Sequence, residues 1–327
     1  MSKFIKIAFF FFIGILLIWW SLHQIPPQEW DQFTIALQKS KFWFILPVGL
    51  ILGLSHLVRA LRWRLIMEPL GYKPSIMNTF LAVLIGYLAN LAVPRLGEVL
   101  KCTLLSKYEK VPAEKIVGTI VAERAFDVIS LGVIFLLALT LQFSVVEAGW
   151  NQFKTYGKAA GDASGSNQTI YIIIAVILLA AIVAFWFFKS KMQNAILAIK
   201  KIIAGVWEGV MSATKLKKHN LFFFYSFAIW FLYLLATYVG LYATEGTESS
   251  FQTAISCLAF ASIGMIITPG GIGAYAYFMA KVLELNGVAY PLGLANGTLQ
   301  WFSQFIIILV LGGIALIILP LFNKQKI

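Results

Sequence analysis

Long apolar runs alternate with short polar interruptions along the whole chain. The runs at about residues 4–20, 42–58, 116–143, 170–188, 221–243 and 298–320 are nearly free of charge, except for one cluster near the start of the third. A helix needs roughly 20 apolar residues to cross a hydrocarbon core of about 30 Å, so these six runs are expected to be full membrane spans. Their ends carry aromatic or basic residues suited to the interface. The first run follows Lys3 and Lys6 and ends in Trp19-Trp20-Ser21 with no small-residue cleavage site, so it reads as a retained span rather than a signal peptide.

Two further apolar stretches break early. Residues 75–93 run into Pro94-Arg95-Leu96-Gly97-Glu98, and residues 252–268 run into Pro269-Gly270-Gly271-Ile272-Gly273. Proline removes a backbone donor and glycine loosens the helix, so each stretch is expected to turn back as a re-entrant helical hairpin.

Loop charges fix the orientation. If 75–93 crossed completely, the basic region of Arg95, Lys101, Lys107, Lys110 and Lys115 would face outside, as would the seven lysines between 189 and 218. Both placements violate the positive-inside rule. If 75–106 dips in and returns, every strongly basic segment faces the cytoplasm, together with both termini. The loop 244–251, with Glu245 and Glu248 and no basic residue, then faces outside, and the second hairpin enters from the outer face. The expected fold is therefore all-α and polytopic, a single domain over 1–327. Its pseudo-repeats, about 1–143 and 170–320, have inverted topology and are joined by an external linker at 144–169. Residues 190–218 alternate Ile196, Ile199, Ile203, Val206 and Val210 with lysines, the pattern of an amphipathic helix lying on the inner leaflet.

Composition agrees. The chain is 60% hydrophobic and 12% charged, with mean hydropathy +0.84, and a soluble domain cannot bury that much apolar surface. The net charge of +12 sits mostly in loops, which points to membrane orientation and away from nucleic acid as a partner. Cys102 and Cys257 are far apart and the three histidines have no ligand spacing, so no disulfide, metal or cofactor is expected.

Irregular backbone at membrane depth is tolerated only where protein or a polar cavity surrounds it. The two breaks therefore imply a cavity, towards which the positive ends of two returning half-helices would converge. That makes Gly97, Pro269, Gly270, Gly271 and Gly273 candidates for holding an anion. Arg95 and Glu98 flank the first break, while Glu123, Arg124 and Asp127 interrupt the third span with Glu123 and Asp127 on one face. One reading pairs these charges internally, Arg124 with Asp127 and Arg95 with Glu123 or Glu98. The other leaves an arginine to grip an anionic headgroup while a carboxylate takes a proton. His56, Arg59, Arg62, Trp63 and Arg64 read as an interfacial anchor at the end of the second span, from which Arg59 and Arg62 could escort a headgroup inward. Asn296, Thr298, Gln300 and Gln304 place polar groups in the last span, either bonding to neighbouring helices or lining the cavity.

Arg-Leu-Gly-Glu at 95–98, Glu-Arg-Ala-Phe-Asp at 123–127, Arg-x-x-Arg-Trp at 59–63 and Thr-Pro-Gly-Gly-Ile-Gly at 268–273 together resemble the transmembrane region of the lysylphosphatidylglycerol synthase family, grouped also as UPF0104-type membrane proteins. The resemblance implies a flippase-like domain that translocates a modified lipid. Bifunctional members add a soluble catalytic domain, and this chain ends at Ile327, so synthase activity is not expected. Many relatives carry an acidic residue shortly after the glycine-rich break, where this chain has Ala276. The function expected is transport of an anionic or phosphate-containing lipid across the cytoplasmic (inner) membrane, with membrane lipids as partners and no reaction catalysed. The rivals are a non-transporting partner protein and a lipid-modifying transferase. The oligomeric state is not legible.

Overall fold

The computed structural model describes residues 3–93, 96–143, 147 and 216–324, with backbone alone for 3–11 and 92. The expected linker, the 170–188 span, most of the amphipathic 190–218 segment and Arg95 lie outside the described residues. All regular structure among the described residues is helical: α1 (Lys3–His23), α2 (Trp30–Gln38), α3 (Ile45–Met67), α4 (Ile76–Ala92), α5 (Leu96–Glu109), α6 (Ala113–Leu141), α7 (His219–Leu241), α8 (Phe251–Ile267), α9 (Ala274–Leu285) and α10 (Tyr290–Phe322).

Helices α3, α6, α7 and α10 are long and apolar enough to cross a membrane. Helix α3 extends well beyond the 58 expected from hydropathy and carries Arg59, Arg62 and Arg64 inside it. The apolar run stops at the first arginine, but a charge ends a span only if it must reach water, and Arg59 and Arg62 are buried. Helix α2 has no counterpart in the sequence reading. Its nine residues bury only Phe33 and Ala36, a stripe too short for a membrane-length search, and it packs on α10.

The two interrupted stretches form antiparallel helical hairpins. In the first, Asn78 near the start of α4 bonds Glu109 at the end of α5, and Gly86 meets Gly97 and Lys101 midway. In the second, Thr253 of α8 bonds Asn286 just past α9 at 3.1 Å, and Gly264 packs on Ala274 and Tyr275. At about 1.5 Å per residue the 17-residue α4 and α8 are each roughly 25 Å long, and α5 and α9 are shorter, so none reaches the 30 Å of a hydrocarbon core.

The hairpins are built alike. Ser75 and Ser250 cap α4 and α8, each accepting through Oγ the N–H three residues on at 3.1 Å. Both helices end on an extended residue, Val93 (φ −140°, ψ 120°) and Thr268 (φ −118°, ψ 150°), and a proline follows each. Each open end is also latched to the C-cap of a long helix. Asn78 exchanges side-chain amide bonds with Asn323, the α10 cap, at 2.7 and 3.0 Å. Thr253 and Asn286 both accept from the amide of Gln142, the α6 cap, at 3.1 and 2.8 Å.

Helix α6 starts beside the base of the first hairpin and ends at the base of the second, and α10 runs the reverse way. The two bases therefore lie at opposite ends of the bundle. The tips approach one another in between, where a Cβ at Gly270 would stand 3.7 Å from Leu91. Helix α4 packs on α10, α8 on α6, and α3 on α7 between them. Helix α1 closes the second tip: Gly273, at φ +73°, brings its backbone so near Gly14 and Ile18 that a Cβ would sit 2.7 Å from the Gly14 carbonyl.

Candidate functional site

Arg59, Arg62 and Trp63 fall at i, i+3 and i+4 on α3, and Thr119, Glu123 and Asp127 fall four residues apart on α6, so each set forms one stripe. Where the stripes meet, Arg59 Nη1 donates to Glu123 Oε1 at 2.9 Å and to Asp127 Oδ2 at 2.6 Å. Arg62 Nη2 donates to Asp127 Oδ1 at 2.7 Å and its Nη1 reaches Ser226 at 3.3 Å. Lys101 from α5 completes the cluster, with Nζ 3.2 Å from Glu123 Oε2 and 4.7 Å above the Trp63 ring. The Trp63 indole donates to Thr119 Oγ1 at 2.8 Å.

Glu123 is 1% exposed, and three cations surround it. Stripping one partner from such a buried network costs about 3–5 kcal/mol, because the remaining charges stay desolvated. The cluster ties α3, the first hairpin and α6 into one unit. Arg59 Nη2 extends it to α7 through the Tyr233 hydroxyl at 3.2 Å.

Arg124 sits on another face of α6. Its side chain is 48% exposed and meets Glu98 of α5 at 2.9 Å. It therefore pairs with Glu98 rather than with Asp127, whose oxygens are taken by α3. Arg59 and Arg62 are likewise core groups, 5% and 0% exposed, and not an outward-facing anchor, because the α6 carboxylates neutralise them within the bundle. Lys101, which loop bookkeeping assigned to a basic cytoplasmic segment, is 7% exposed inside α5 for the same reason.

A cavity of about 310 Å³ opens beside the cluster, between α3, α6, α7, α10 and both hairpins. One end carries His56, Arg59, Tyr87, Arg124 and Asp127; Trp230, Tyr233, Thr237, Ser262, Tyr275, Gln300 and Gln304 follow, and aliphatic residues from Val48 to Ile308 complete the walls. Of the residues singled out in the sequence, His56, Arg59, Arg124, Asp127, Gln300 and Gln304 line it. Arg62 and Glu123 stand behind that wall, and Glu98 touches it only through Arg124. Gly97, Pro269, Gly270, Gly271 and Gly273 do not line it and have structural surroundings. The Gly97 N–H is taken by Asn90 Oδ1 at 2.8 Å, and a Cβ at Gly97 would collide with the Gly86 carbonyl. The Gly270 carbonyl accepts from the Trp301 indole at 2.7 Å. Pro269 and Gly271 are buried, and Gly271 is packed under Met265 at φ +75°.

Asn296 donates to the Gly240 carbonyl at 3.0 Å and to Thr247 at 3.1 Å, so it fastens α10 to α7. Gln300 reaches the Thr237 carbonyl of α7 at 3.5 Å, bonds Asn296 of its own helix at 2.8 Å, and also lines the cavity. Sequence reasoning missed Lys101, Tyr87, Ser226 and Tyr233 as members of the site. The matching stripes on α3 and α6 were the available signal for pairing Arg59 and Arg62 with Glu123 and Asp127. Nothing local marks the others. Among the described residues no His, Cys, Asp and Glu gather into a metal-binding group.

The Lysylphosphatidylglycerol synthase TM region, as a family model, matches residues 4–312. The chain belongs to this family. It is 25% identical over 330 aligned positions to the UPF0104 membrane protein PH1989 of Pyrococcus horikoshii, covering 96% of each chain. A shorter likeness, 35% over 77 residues and 23% of each chain, links it to the UPF0104 membrane protein MJ1595 of Methanocaldococcus jannaschii. No solved structure matches the chain. With four helices among the described residues long and apolar enough to cross a membrane, this member of the family is a multi-pass membrane protein.

Proposed function

We propose that the protein carries a lipid with an anionic or phosphate-containing headgroup across the cytoplasmic membrane and catalyses no reaction. The observation that carries this reading is the cavity: Arg59 and Arg124 stand at one end of a largely apolar chamber between the hairpins. Guanidinium groups match the geometry of phosphate oxygens, and aliphatic walls suit the chain that follows a headgroup.

The matched hairpins support an inverted repeat with both hairpins re-entrant. First arms of equal length, serine caps, prolines and C-cap latches recur with bases at opposite ends, as expected when two halves rock about a central site. The base of the first hairpin lies among Lys73, Lys107, Lys110 and Lys324, and that of the second near Glu245 and Glu248, which supports cytoplasmic termini. Membrane lipids are then the partners, with residues 1–327 acting as one transporting domain.

Reconstitution of the full chain in proteoliposomes with headgroup-labelled anionic lipid tests the reading. Translocation should fall at least about tenfold in an Arg59→Lys, Arg124→Gln variant, since each removes a bidentate phosphate contact. Unchanged translocation in that variant would sink the site. The closed pairing around Glu123 favours one rival, a partner protein in which the charges only join helices. That rival predicts no lipid movement by wild-type protein at all.

A further inference from the structure

The acids at the charged end of the cavity are all committed. Arg59 and Arg62 hold the two oxygens of Asp127 at 2.6 and 2.7 Å, Glu123 meets Arg59, Arg62 and Lys101, and Glu98 meets Arg124. A proton placed on any of them would break a pair that holds α6 to α3 or to α5. The carboxylates that the sequence offered as proton acceptors therefore serve as ion-pair partners. Arginine keeps its proton at any physiological pH, and the phenols on the wall, Tyr87, Tyr233 and Tyr275, belong to a class that does so up to about pH 10.

His56 is what remains. It lines the cavity from α3, and imidazole is the side chain that exchanges a proton near neutrality, at about pH 6.5 in water. Its Nδ1 is sealed in protein without a partner; Nε2 is neither sealed nor hydrogen-bonded among the described residues, and is the nitrogen open to the cavity. A histidine kept for packing is usually fixed by a bond to one ring nitrogen, which sets its tautomer. This ring is instead held by its stack on Tyr87, with centroids 4.5 Å apart. Arg59 stands three residues on, one helical turn away. Of the other groups on the walls, Tyr87 of α4, Tyr233 of α7 and Tyr275 of α9 are neutral, and Arg124 and Asp127 of α6 are paired. Helices α8 and α10 present no ionisable side chain to the cavity.

Resting on the transport reading above, we propose that His56 carries one proton along with each anion, so that the crossing is electrically neutral. An imidazolium one turn from the Arg59 guanidinium is opposed by like charge in a wall of low dielectric, and an anion beside the two lifts that opposition. Proton and anion therefore favour each other's binding, and by linkage to the same degree. The proton comes from water on the side where the anion enters. It returns to water on the other side when the anion leaves and the two positive charges face each other alone. An unaccompanied charge is expensive inside the hydrocarbon, which is what the shared passage avoids.

The full chain in proteoliposomes tests this, with labelled phosphatidylglycerol as the probe anion and the membrane potential clamped by potassium and valinomycin. At one proton per lipid, an imposed gradient of one pH unit should enrich the probe about tenfold in the leaflet facing the alkaline side. A change of clamp voltage should leave that ratio where it is, because the crossing carries no net charge. His56→Gln cannot take up a proton and should relax to equal leaflets at every gradient, with thermal unfolding in detergent as its folding control. His23→Gln and His219→Gln, at exposed positions outside the cavity, should keep the tenfold ratio. A wild-type ratio that ignores the gradient overturns this inference and leaves transport standing, as does a His56→Gln protein that still follows the gradient. Movement of no probe by wild-type protein overturns both.

Discussion

The two hairpins share one scaffold and carry opposite chemistry. The first brings Lys101 into a buried ion network and Glu98 to Arg124, so its position is fixed by charge. The second has Ala276 at the place corresponding to Lys101, 9% exposed among Ile25, Phe33 and Leu294, and is held by apolar packing and its glycine tip. It also supplies the cavity with Leu258, Ser262, Met265, Ile266 and Tyr275, whereas the first supplies Tyr87. Two hairpins of like build thus do unlike work: one holds the charges in place, and the other shapes the chamber beside them.

Breaking the charged side should have the largest effect. Glu123→Leu leaves Arg59, Arg62 and Lys101 crowded without their shared partner, and should lower unfolding stability in detergent by about 3–5 kcal/mol. Adding Lys101→Met should restore part of that loss, because it removes one orphaned cation. No change on that addition would place Lys101 outside the network.

Tip packing comes next. Gly97→Ala drives a methyl into the Gly86 carbonyl of the facing helix, and Gly264→Ala places one 2.8 Å from the backbone of Ala274 and Tyr275. Each should cost about 1–3 kcal/mol, with Gly97 the worse, since its clash is the tighter and both partners are backbone. A reversed order, read from thermal unfolding of the two variants, would mean that the first hairpin yields more easily than its ion pairs suggest.

The latches should separate the halves functionally. Asn78→Ala removes the amide pair with Asn323, and Gln142→Ala removes the bonds to Thr253 and Asn286, each at about 1–2 kcal/mol. Cysteine labelling of the cavity from the two sides of a vesicle should rise on opposite sides in the two variants. A rise on one shared side would contradict bases at opposite ends. The smallest effect should come from the caps: Ser75→Ala and Ser250→Ala are each expected to cost about 1 kcal/mol, with Ser250 the larger, since its Oγ also meets Thr253 Oγ1 at 3.1 Å.

Much of this was legible because the membrane makes local rules strict. Both hairpins could be read from a proline after an apolar run too short to cross, and the lysine distribution separated their bases. Span boundaries were less legible. The apolar run stops at Arg59 while α3 continues to Met67, since hydropathy cannot know that a charge has a buried partner. The same blindness sent Lys101 to a loop and Arg59 and Arg62 to the surface. Arg124 and Asp127 were recognised as chemistry-bearing, but the internal pairing considered for them joined them to each other, because neighbours in sequence are visible and neighbours across helices are not.

What the sequence by itself determined was the class of solvent, the long apolar helices α3, α6, α7 and α10 and the two interruptions, set by apolar run length and backbone donors. Which charges neutralise which, and which are left facing the cavity, was decided only when α3, α5 and α6 came together. An ion pair a few ångströms long can join residues more than sixty positions apart, as Arg59 and Asp127 do, and no pattern within either helix records that distance.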